Sequence, residues 1–229
     1  FVMKGVSPMR INEFLESPKV SWLNGEADDT DVVLSSRVRL ARNFEDLKFP
    51  DQADREERLN VLKRVSDSQK PLEKEMKSKF SFFQMEEISL DQRWMLVEKH
   101  LISQNLTEGS LGQGVLIRDD SQVSVLINEE DHVRIQGMAR GLNLEEAYGL
   151  ARETDQILSA KNQWAYQEKL GYLTTCPTNV GTGMRASVML HLPALGLAKK
   201  MGQLTGAIQP HGMILRGLDG EGSEASGHI

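Results

Sequence analysis

Gly114-Val115-Leu116-Ile117-Arg118-Asp119-Asp120-Ser121-Gln122-Val123-Ser124-Val125-Leu126-Ile127-Asn128 is the stretch that decides the fold. Its aliphatic runs, Val115-Leu116-Ile117 and Val123-Ser124-Val125-Leu126-Ile127, flank Asp119-Asp120-Ser121, whose short polar side chains favour a turn, so the stretch predicts a β-hairpin. Towards the N-terminus a helix is predicted over 90–101, with Met95, Leu96, Lys99 and His100 near its end, and another over 53–66 with Leu59, Leu62 and Val65 as its buried stripe. Val32-Val33-Leu34-Ser35-Ser36-Arg37-Val38-Arg39-Leu40-Ala41 begins β-branched and then alternates arginine with aliphatics, as a strand or extended segment does. Towards the C-terminus, Asn143 and Glu146 have the spacing of a capping pair, with Leu144, Ala147, Tyr148, Ala151 and Leu158 at helical spacing behind them. The last third reads as strand (Arg185 to Leu190), helix and strand (Met213-Ile214-Leu215). Its helix starts at Pro193, carries Leu197, Met201, Leu204 and Ile208 on one face, and stops at Gly212. Hairpins mixed with helices predict an α+β domain rather than a repeating parallel sheet.

Residues 1–30 read as a short leader, with Phe14, Leu15, Val20, Trp22 and Leu23 as its docking residues, and 31–229 as one domain. No apolar stretch reaches the roughly 18 residues that span a bilayer. The start, Phe1-Val2-Met3-Lys4-Gly5, is unlike a secretion signal, and a single cysteine makes no internal disulfide, so a cytoplasmic protein is expected. With 33 acidic against 27 basic side chains the net charge is -6, which argues against wrapping nucleic acid and requires any anion to be bound locally.

Arginine placement is the distinctive feature. Arg37 and Arg39 share one face of an extended segment, Arg134 follows a strand, Arg185 opens one and Arg216 ends one, each among small or aliphatic neighbours. Planar guanidinium forks match phosphate oxygens in a partly dry site, although any one of them alone reads more readily as a strand-end ion pair. No phosphate loop of the G-x-x-x-x-G-K-[ST] type is present, and Gly181-Thr182-Gly183 lacks the lysine such a loop needs. Asn128-Glu129-Glu130-Asp131-His132 follows an apolar strand and is either a solvated loop or one half of an active site. Glu221, set between Gly220 and Gly222, is a second carboxylate that could clamp a cationic substrate and take its proton. Cys176, in Thr174-Thr175-Cys176-Pro177-Thr178, is either a small core residue or a thiol activated by a nearby cation. The five histidines show no metal-binding spacing, so no protein-caged metal is expected.

Three motifs taken together are more specific. Ser35-Ser36-Arg37-Val38-Arg39-Leu40-Ala41-Arg42-Asn43, Asn128-Glu129-Glu130-Asp131-His132-Val133-Arg134 and Cys176-Pro177-Thr178-Asn179-Val180-Gly181-Thr182-Gly183-Met184-Arg185-Ala186-Ser187-Val188 resemble the signatures of the phosphagen kinases, the ATP:guanidino phosphotransferases. Leu96 to Ser103, Gly171-Tyr172-Leu173 and His191-Leu192-Pro193-Ala194-Leu195 are most similar to the bacterial branch, the protein arginine kinases. The resemblance runs from about Asp31 to Gly227 and implies an antiparallel β-sheet flanked by helices, in the glutamine synthetase-like catalytic architecture, incomplete at the C-terminus.

By that resemblance Arg37, Arg39, Arg134, Arg185 and Arg216 hold the phosphates of ATP, which arrives as its Mg2+ complex, and His100 packs on the adenine. The nucleotide-binding segments it implies are Ser35, Ser36 and Val38 around the first arginines, Ala186, Ser187, Val188 and Met189 after Arg185, and Gly217, Leu218, Asp219, Gly220 and Glu221 after Arg216. Glu130 is implied as the catalytic base, Glu221 as the second carboxylate on the guanidinium, and Cys176 as the thiol beside it. Leu218-Asp219 departs from the aromatic that bacterial members carry before the glycine, which bears on loop shape only.

The implied activity is transfer of the ATP γ-phosphoryl group to arginine side chains of proteins. Only 34 residues precede Ser35, too few for the helical domain that closes over a small metabolite, so an arginine displayed on a protein is expected over a small guanidino compound. A non-catalytic nucleotide-binding or adaptor module is the alternative from another class. Family membership also implies a bacterial stress role, with an activator protein, a Clp-type protease and a heat-shock repressor as partners, and a homodimer in the longer protein.

Overall fold

The computed structural model describes residues 8–16 and 32–217. Six strands form one antiparallel sheet in the order β2-β3-β4-β5-β1-β8. They are β1 (Val33–Arg42), β2 (Phe80–Gln84), β3 (Gly114–Arg118), β4 (Val123–Ile127), β5 (Val133–Arg140) and β8 (Met184–Leu190). A small hairpin pairs β6 (Tyr166–Gln167) with β7 (Gly171–Tyr172). The helices are α1 (Pro8–Glu16), α2 (Arg55–Ser66), α3 (Gln69–Glu75), α4 (Leu90–Glu98), α5 (Leu144–Ser159), α6 (Pro193–Leu197) and α7 (Met201–Ile208).

The hairpin forms as its sequence requires, with Leu116 opposite Val125 and both strands buried along their whole length. Burial on both faces is why these strands read as continuous apolar runs instead of alternating ones. One face of the sheet carries Val38, Leu40, Leu116, Val125 and Ile135 and packs against Val61, Leu62 and Val65 of α2, Leu72 of α3, and Ala147, Ala151 and Leu158 of α5. Each such large aliphatic side chain contributes roughly 1.5–3 kcal/mol when fully buried. Gly137 of β5 lets α5 approach closely, since a Cβ there would run into the backbone of Ala147.

The opposite face is divided. Over β2, β3 and β4 it is apolar, and Phe83, Val115, Ile117 and Leu126 pack with Ile11 and Leu15 of α1 and Leu96 of α4. Over β5, β1 and β8 the same face is polar. One row of register partners runs Arg185–Arg39–Gln136–Ser124–Ile117 and passes from cationic to apolar as it crosses the sheet.

Helix starts follow local chemistry. Asp54 and Glu57 form a reciprocal capping box at α2, Ser89 and Gln92 do the same at α4, and the Asn143 side chain accepts from the Glu146 backbone N–H at α5. Several expectations are corrected. The helix expected to reach 101 ends at Glu98, because His100 takes a left-handed backbone with φ 56°. The helix expected from Pro193 through Ile208 is two, broken at Lys199 with φ 53°. Met213-Ile214-Leu215 is irregular and not a strand. Arg134 lies within a strand, not after one. Of the expected leader contacts, Leu15 is buried and Phe14 packs on Phe83 with ring centroids 5.7 Å apart. Val20, Trp22 and Leu23 lie outside the described residues.

Candidate active site

Alternation along β1 sends Val38 and Leu40 into the core and Arg37 and Arg39 to the polar face. Antiparallel register then sets Arg185 of β8 directly across from Arg39, and Arg134 of β5 across from Ala41. Arg39, Ala41, Glu130, Arg134, Asn179, Gly183 and Arg185 line one cleft. Arg37 Nε donates to Ser187 Oγ at 3.3 Å, while Arg39 Nε is shielded from solvent with no hydrogen-bond partner among the described residues.

Crowding these cations is costly. Burial, then the charges of Arg185 and Arg134, push the Arg37 guanidinium down to about 10. Burial, then Arg37, Arg134 and Arg185, push Arg39 down to about 9, with Glu129 acting in the opposite direction. Negative charge placed among these guanidinium groups would offset the mutual repulsion, though not the desolvation. His100 sits close enough to Arg37 to feel its charge, which adds to burial in lowering the imidazole. Its carbonyl accepts from Gln136 Nε2 at 2.6 Å, and Gln136 is the β5 residue opposite Arg39.

The two glutamates divide their roles. Glu129, 1% exposed, accepts from Ser103 Oγ at 2.7 Å and pairs with Arg134 Nη1 at 2.5 Å. Glu130, 35% exposed, takes Arg134 Nη2 at 2.6 Å. Glu129 is therefore a buried counter-charge to Arg134, while the more exposed Glu130 lines the cleft. Cys176 is half-buried, just ahead of the single turn Pro177–Asn179, with Sγ 3.0 Å from Thr178 Oγ1.

The loop entering β8 is pinned to β1. Gly183 has φ 62°, its carbonyl accepts the Ala41 N–H at 2.8 Å, and a Cβ there would lie 2.6 Å from the Ala41 oxygen. Arg42 clamps the same loop. Its Nη1 donates to the Thr182 carbonyl at 3.1 Å, its Nε and Nη2 meet Asp155 of α5, and its guanidinium lies 3.5 Å over the Tyr172 ring.

The sequence-derived site residues separate accordingly. Arg37, Arg39, Arg134, Arg185, Ser187 and Glu130 are brought together, with His100 beside them. The Ser36 and Val38 side chains face the core side: the Ser36 hydroxyl donates to the Gly141 carbonyl at 2.8 Å and accepts the Asn143 N–H at 2.9 Å. Ala186 and Val188 pair with Val38 and Ser36 on the core side, whereas Met189 pairs with the buried Ser35 in the row next to Arg37 and Ser187, on the arginine face. Arg216 is half-buried in an irregular segment and is not among the residues lining the cleft; Gly217 follows it. Leu218, Asp219, Gly220 and Glu221 lie outside the described residues. Among the described residues no group of three or more His, Cys, Asp or Glu side chains is placed to hold a metal ion, and no helix is long and apolar enough to cross a membrane.

Sequence reasoning missed the buried polar joint beneath the rim. Asp131 Oδ1 accepts from Asn43 Nδ2 at 2.7 Å and from the Thr175 N–H at 2.8 Å. Asn43 Oδ1 accepts the His132 N–H at 2.8 Å. His132 Nδ1 accepts the Phe44 N–H at 3.1 Å and Nε2 lies 2.8 Å from the Lys48 carbonyl, which assigns the proton to Nε2. Asn43, Asp131 and His132 all stand inside quoted motifs, but a polar run after a strand gives no sign that part of it is buried.

An antiparallel sheet presenting a row of guanidinium groups, with the Glu130 carboxylate in the same cleft, is the arrangement of an α+β domain suited to holding phosphoryl groups. Residues 60–229 match the family described as ATP:guanido phosphotransferase, C-terminal catalytic domain. The chain belongs to that family. It is 43% identical over 221 residues to a protein-arginine kinase of Halothermothrix orenii, covering 96% of this chain and 62% of that protein. It is 44% identical over 221 residues to the protein-arginine kinase of Bacillus subtilis, covering 96% of this chain and 61% of that one. The chain thus spans about three fifths of the curated relatives' length. Among solved structures it is similar to a taurocyamine kinase from Schistosoma mansoni with bound transition state analog components, with TM-score 0.76 and 26% identity, covering 95% of this chain and 31% of that one. It is also similar to a lombricine kinase, with TM-score 0.69 and 25% identity, covering 96% of this chain and 67% of that one.

Proposed function

We propose that this chain carries the phosphoryl-transfer site of a cytoplasmic protein arginine kinase, which moves the γ-phosphoryl group of ATP to arginine side chains of proteins. The observation that carries the reading is the row Arg37, Arg39, Arg134 and Arg185 on adjacent strands, with Glu130 held against Arg134 at the cleft rim. Fixed guanidinium groups suit a metaphosphate-like transition state, whose charge is spread over several oxygens and calls for preorganised cations. Magnesium enters on the nucleotide and neutralises part of its charge.

A guanidinium holds its proton far above neutral pH and is not nucleophilic while protonated, so attack needs an oriented carboxylate to accept its proton. Glu130 takes that role. The Glu130 carboxylate accepts from Arg134 Nη2. A phosphate oxygen that takes over Nη2 leaves Glu130 free to turn to the incoming guanidinium, whereas Glu129 keeps Nη1 and holds Arg134 in place. The new N–P bond then forms as the bond to the leaving ADP oxygen breaks, and the guanidinium proton passes to Glu130. Glu221 as the second carboxylate, and Cys176 as the thiol near the guanidinium, complete the proposed site.

Protein arginine is preferred to a small guanidino metabolite because identity is 43–44% to proteins named protein-arginine kinase and 25–26% to the taurocyamine and lombricine kinases. The activator, protease, repressor and homodimer expected from the family belong to the same proposal. The test incubates the chain with Mg-ATP and either an arginine-rich protein or free L-arginine, and reads the product by mass spectrometry under non-acidic conditions. Phosphoarginine on the protein alone is expected. Product from free arginine moves the reading to a metabolite kinase, and no product with nucleotide still bound moves it to a non-catalytic module.

A further inference from the structure

We infer that Asp131 is a positioning residue whose Oδ1 joins the loop bearing the base to the loop bearing the thiol. Its sequence neighbour is Glu130, and the backbone N–H it accepts belongs to Thr175, the neighbour of Cys176. The third member of the joint, Asn43, lies just past the end of β1, so both loops are fastened to the strand that carries Arg37 and Arg39. Asn43 Nδ2 also reaches the Leu173 carbonyl at 3.2 Å, and its Oδ1 takes the His132 N–H at 2.8 Å, so Asn43 itself holds the segment before the thiol as well as the acidic loop.

All three polar residues of the joint, Asn43, Asp131 and His132, are buried. Burying a carboxylate against neutral donors is costly, so the joint is an expensive way to close two loops unless their relative placement matters. A displacement of about 1 Å between reacting groups costs roughly 100-fold in rate. The cleft's arginines are framed differently, by the register of β5, β1 and β8, in which Asp131 takes no part. Loosening the joint therefore separates two quantities that a general loss of structure would move together: the placement of Glu130 and Cys176, and the affinity for nucleotide.

The kinetic part of this inference rests on the phosphoryl-transfer reading, and the thiol part does not. The experiment compares the chain with its Asp131→Ala and Asp131→Asn variants, measuring the iodoacetamide alkylation rate of Cys176 by mass spectrometry, Mg-ATP affinity by calorimetry, and kcat on an arginine-rich protein. Asp131→Ala is expected to raise the alkylation rate about tenfold and lower kcat about 100-fold, with Mg-ATP affinity within about twofold of wild type. Asp131→Asn keeps an oxygen at Oδ1 and is expected within about threefold of wild type in alkylation. If Asp131→Ala does not fold, Asn43→Asp serves the same comparison, because it keeps the acceptor for His132 but turns a carboxylate oxygen against Asp131. Unchanged alkylation in the disrupted variant overturns the joint, as does a loss of Mg-ATP affinity in step with the gain in alkylation. Wild type that binds no Mg-ATP overturns the kinase reading, while the alkylation comparison still decides the joint.

Discussion

Arg39 sits among Arg37, Arg134 and Arg185, its Nε has no hydrogen-bond partner among the described residues, and the Glu129 charge acts against that repulsion. Replacing such a charge with an apolar chain of similar length removes both the desolvation cost and the repulsion. Arg39→Met is expected to stabilise the ligand-free protein by about 1 kcal/mol, read as a higher thermal midpoint, while weakening Mg-ATP binding by roughly 10-fold or more in calorimetry. A variant that loses stability and keeps affinity contradicts the role given to Arg39. Glu130→Gln is expected to abolish transfer and hold nucleotide affinity within about threefold, on the tighter side, because Arg134 Nη2 no longer faces a competing carboxylate. At this scale the arginine face was legible, since the alternation Ser36-Arg37-Val38-Arg39-Leu40 fixes which side chains share a side of the strand. The division of labour between Glu129 and Glu130 was not legible, because burial of one and exposure of the other depends on Ser103 and Arg134 arriving from elsewhere in the chain.

Two elements carry their own tests. Gly183 combines a positive φ with a backbone contact that admits no Cβ, so Gly183→Ala is expected to cost about 2–3 kcal/mol in urea denaturation and to weaken nucleotide binding through the displaced start of β8. His132 is kept neutral chiefly by burial, which lowers its pKa below the ordinary 6.5. A histidine depressed in the folded state contributes stability that is complete above about pH 6.5 and lost as pH falls from there through the folded value. Protonation also turns Nδ1 into a donor facing the Phe44 N–H. The denaturation midpoint should therefore fall with acid more steeply in wild type than in His132→Gln, and equal slopes count against a neutral, locked imidazole. Elements with a strong local signal, the 114–128 hairpin and the capped helices α2 and α5, were legible. β2 was not, because Phe80-Ser81-Phe82-Phe83-Gln84 is short and nearly unbroken in aromatics. β5 was not, because it begins directly after the acidic loop and carries Gly137 at its centre. The helix break at Lys199 has no sequence mark, since Leu197, Met201, Leu204 and Ile208 keep helical spacing across it.

For the whole molecule, the decisive feature is one sheet face that is apolar over β2, β3 and β4 and cationic over β5, β1 and β8. Helices α1 and α4 close the apolar part, and the cationic part is the seat proposed for the nucleotide, so that reading couples ligand binding to fold stability. At 100 times its dissociation constant, Mg-ATP is expected to stabilise the protein by about 2.7 kcal/mol, read as a rise in thermal midpoint, with the affinity falling as salt is raised. A midpoint that does not move with nucleotide removes the cleft as its site. The central claim is that this cleft moves a phosphoryl group onto protein arginine with Glu130 accepting the proton. It is tested most directly by phosphorus NMR of the chain with Mg-ATP and an arginine-rich protein, followed beside Glu130→Gln. An acid-labile P–N resonance that grows as ATP is consumed with wild type, and stays absent with the variant, is the predicted result. The same resonance growing at the same rate with Glu130→Gln, or none from a wild-type chain that binds the nucleotide, would contradict it.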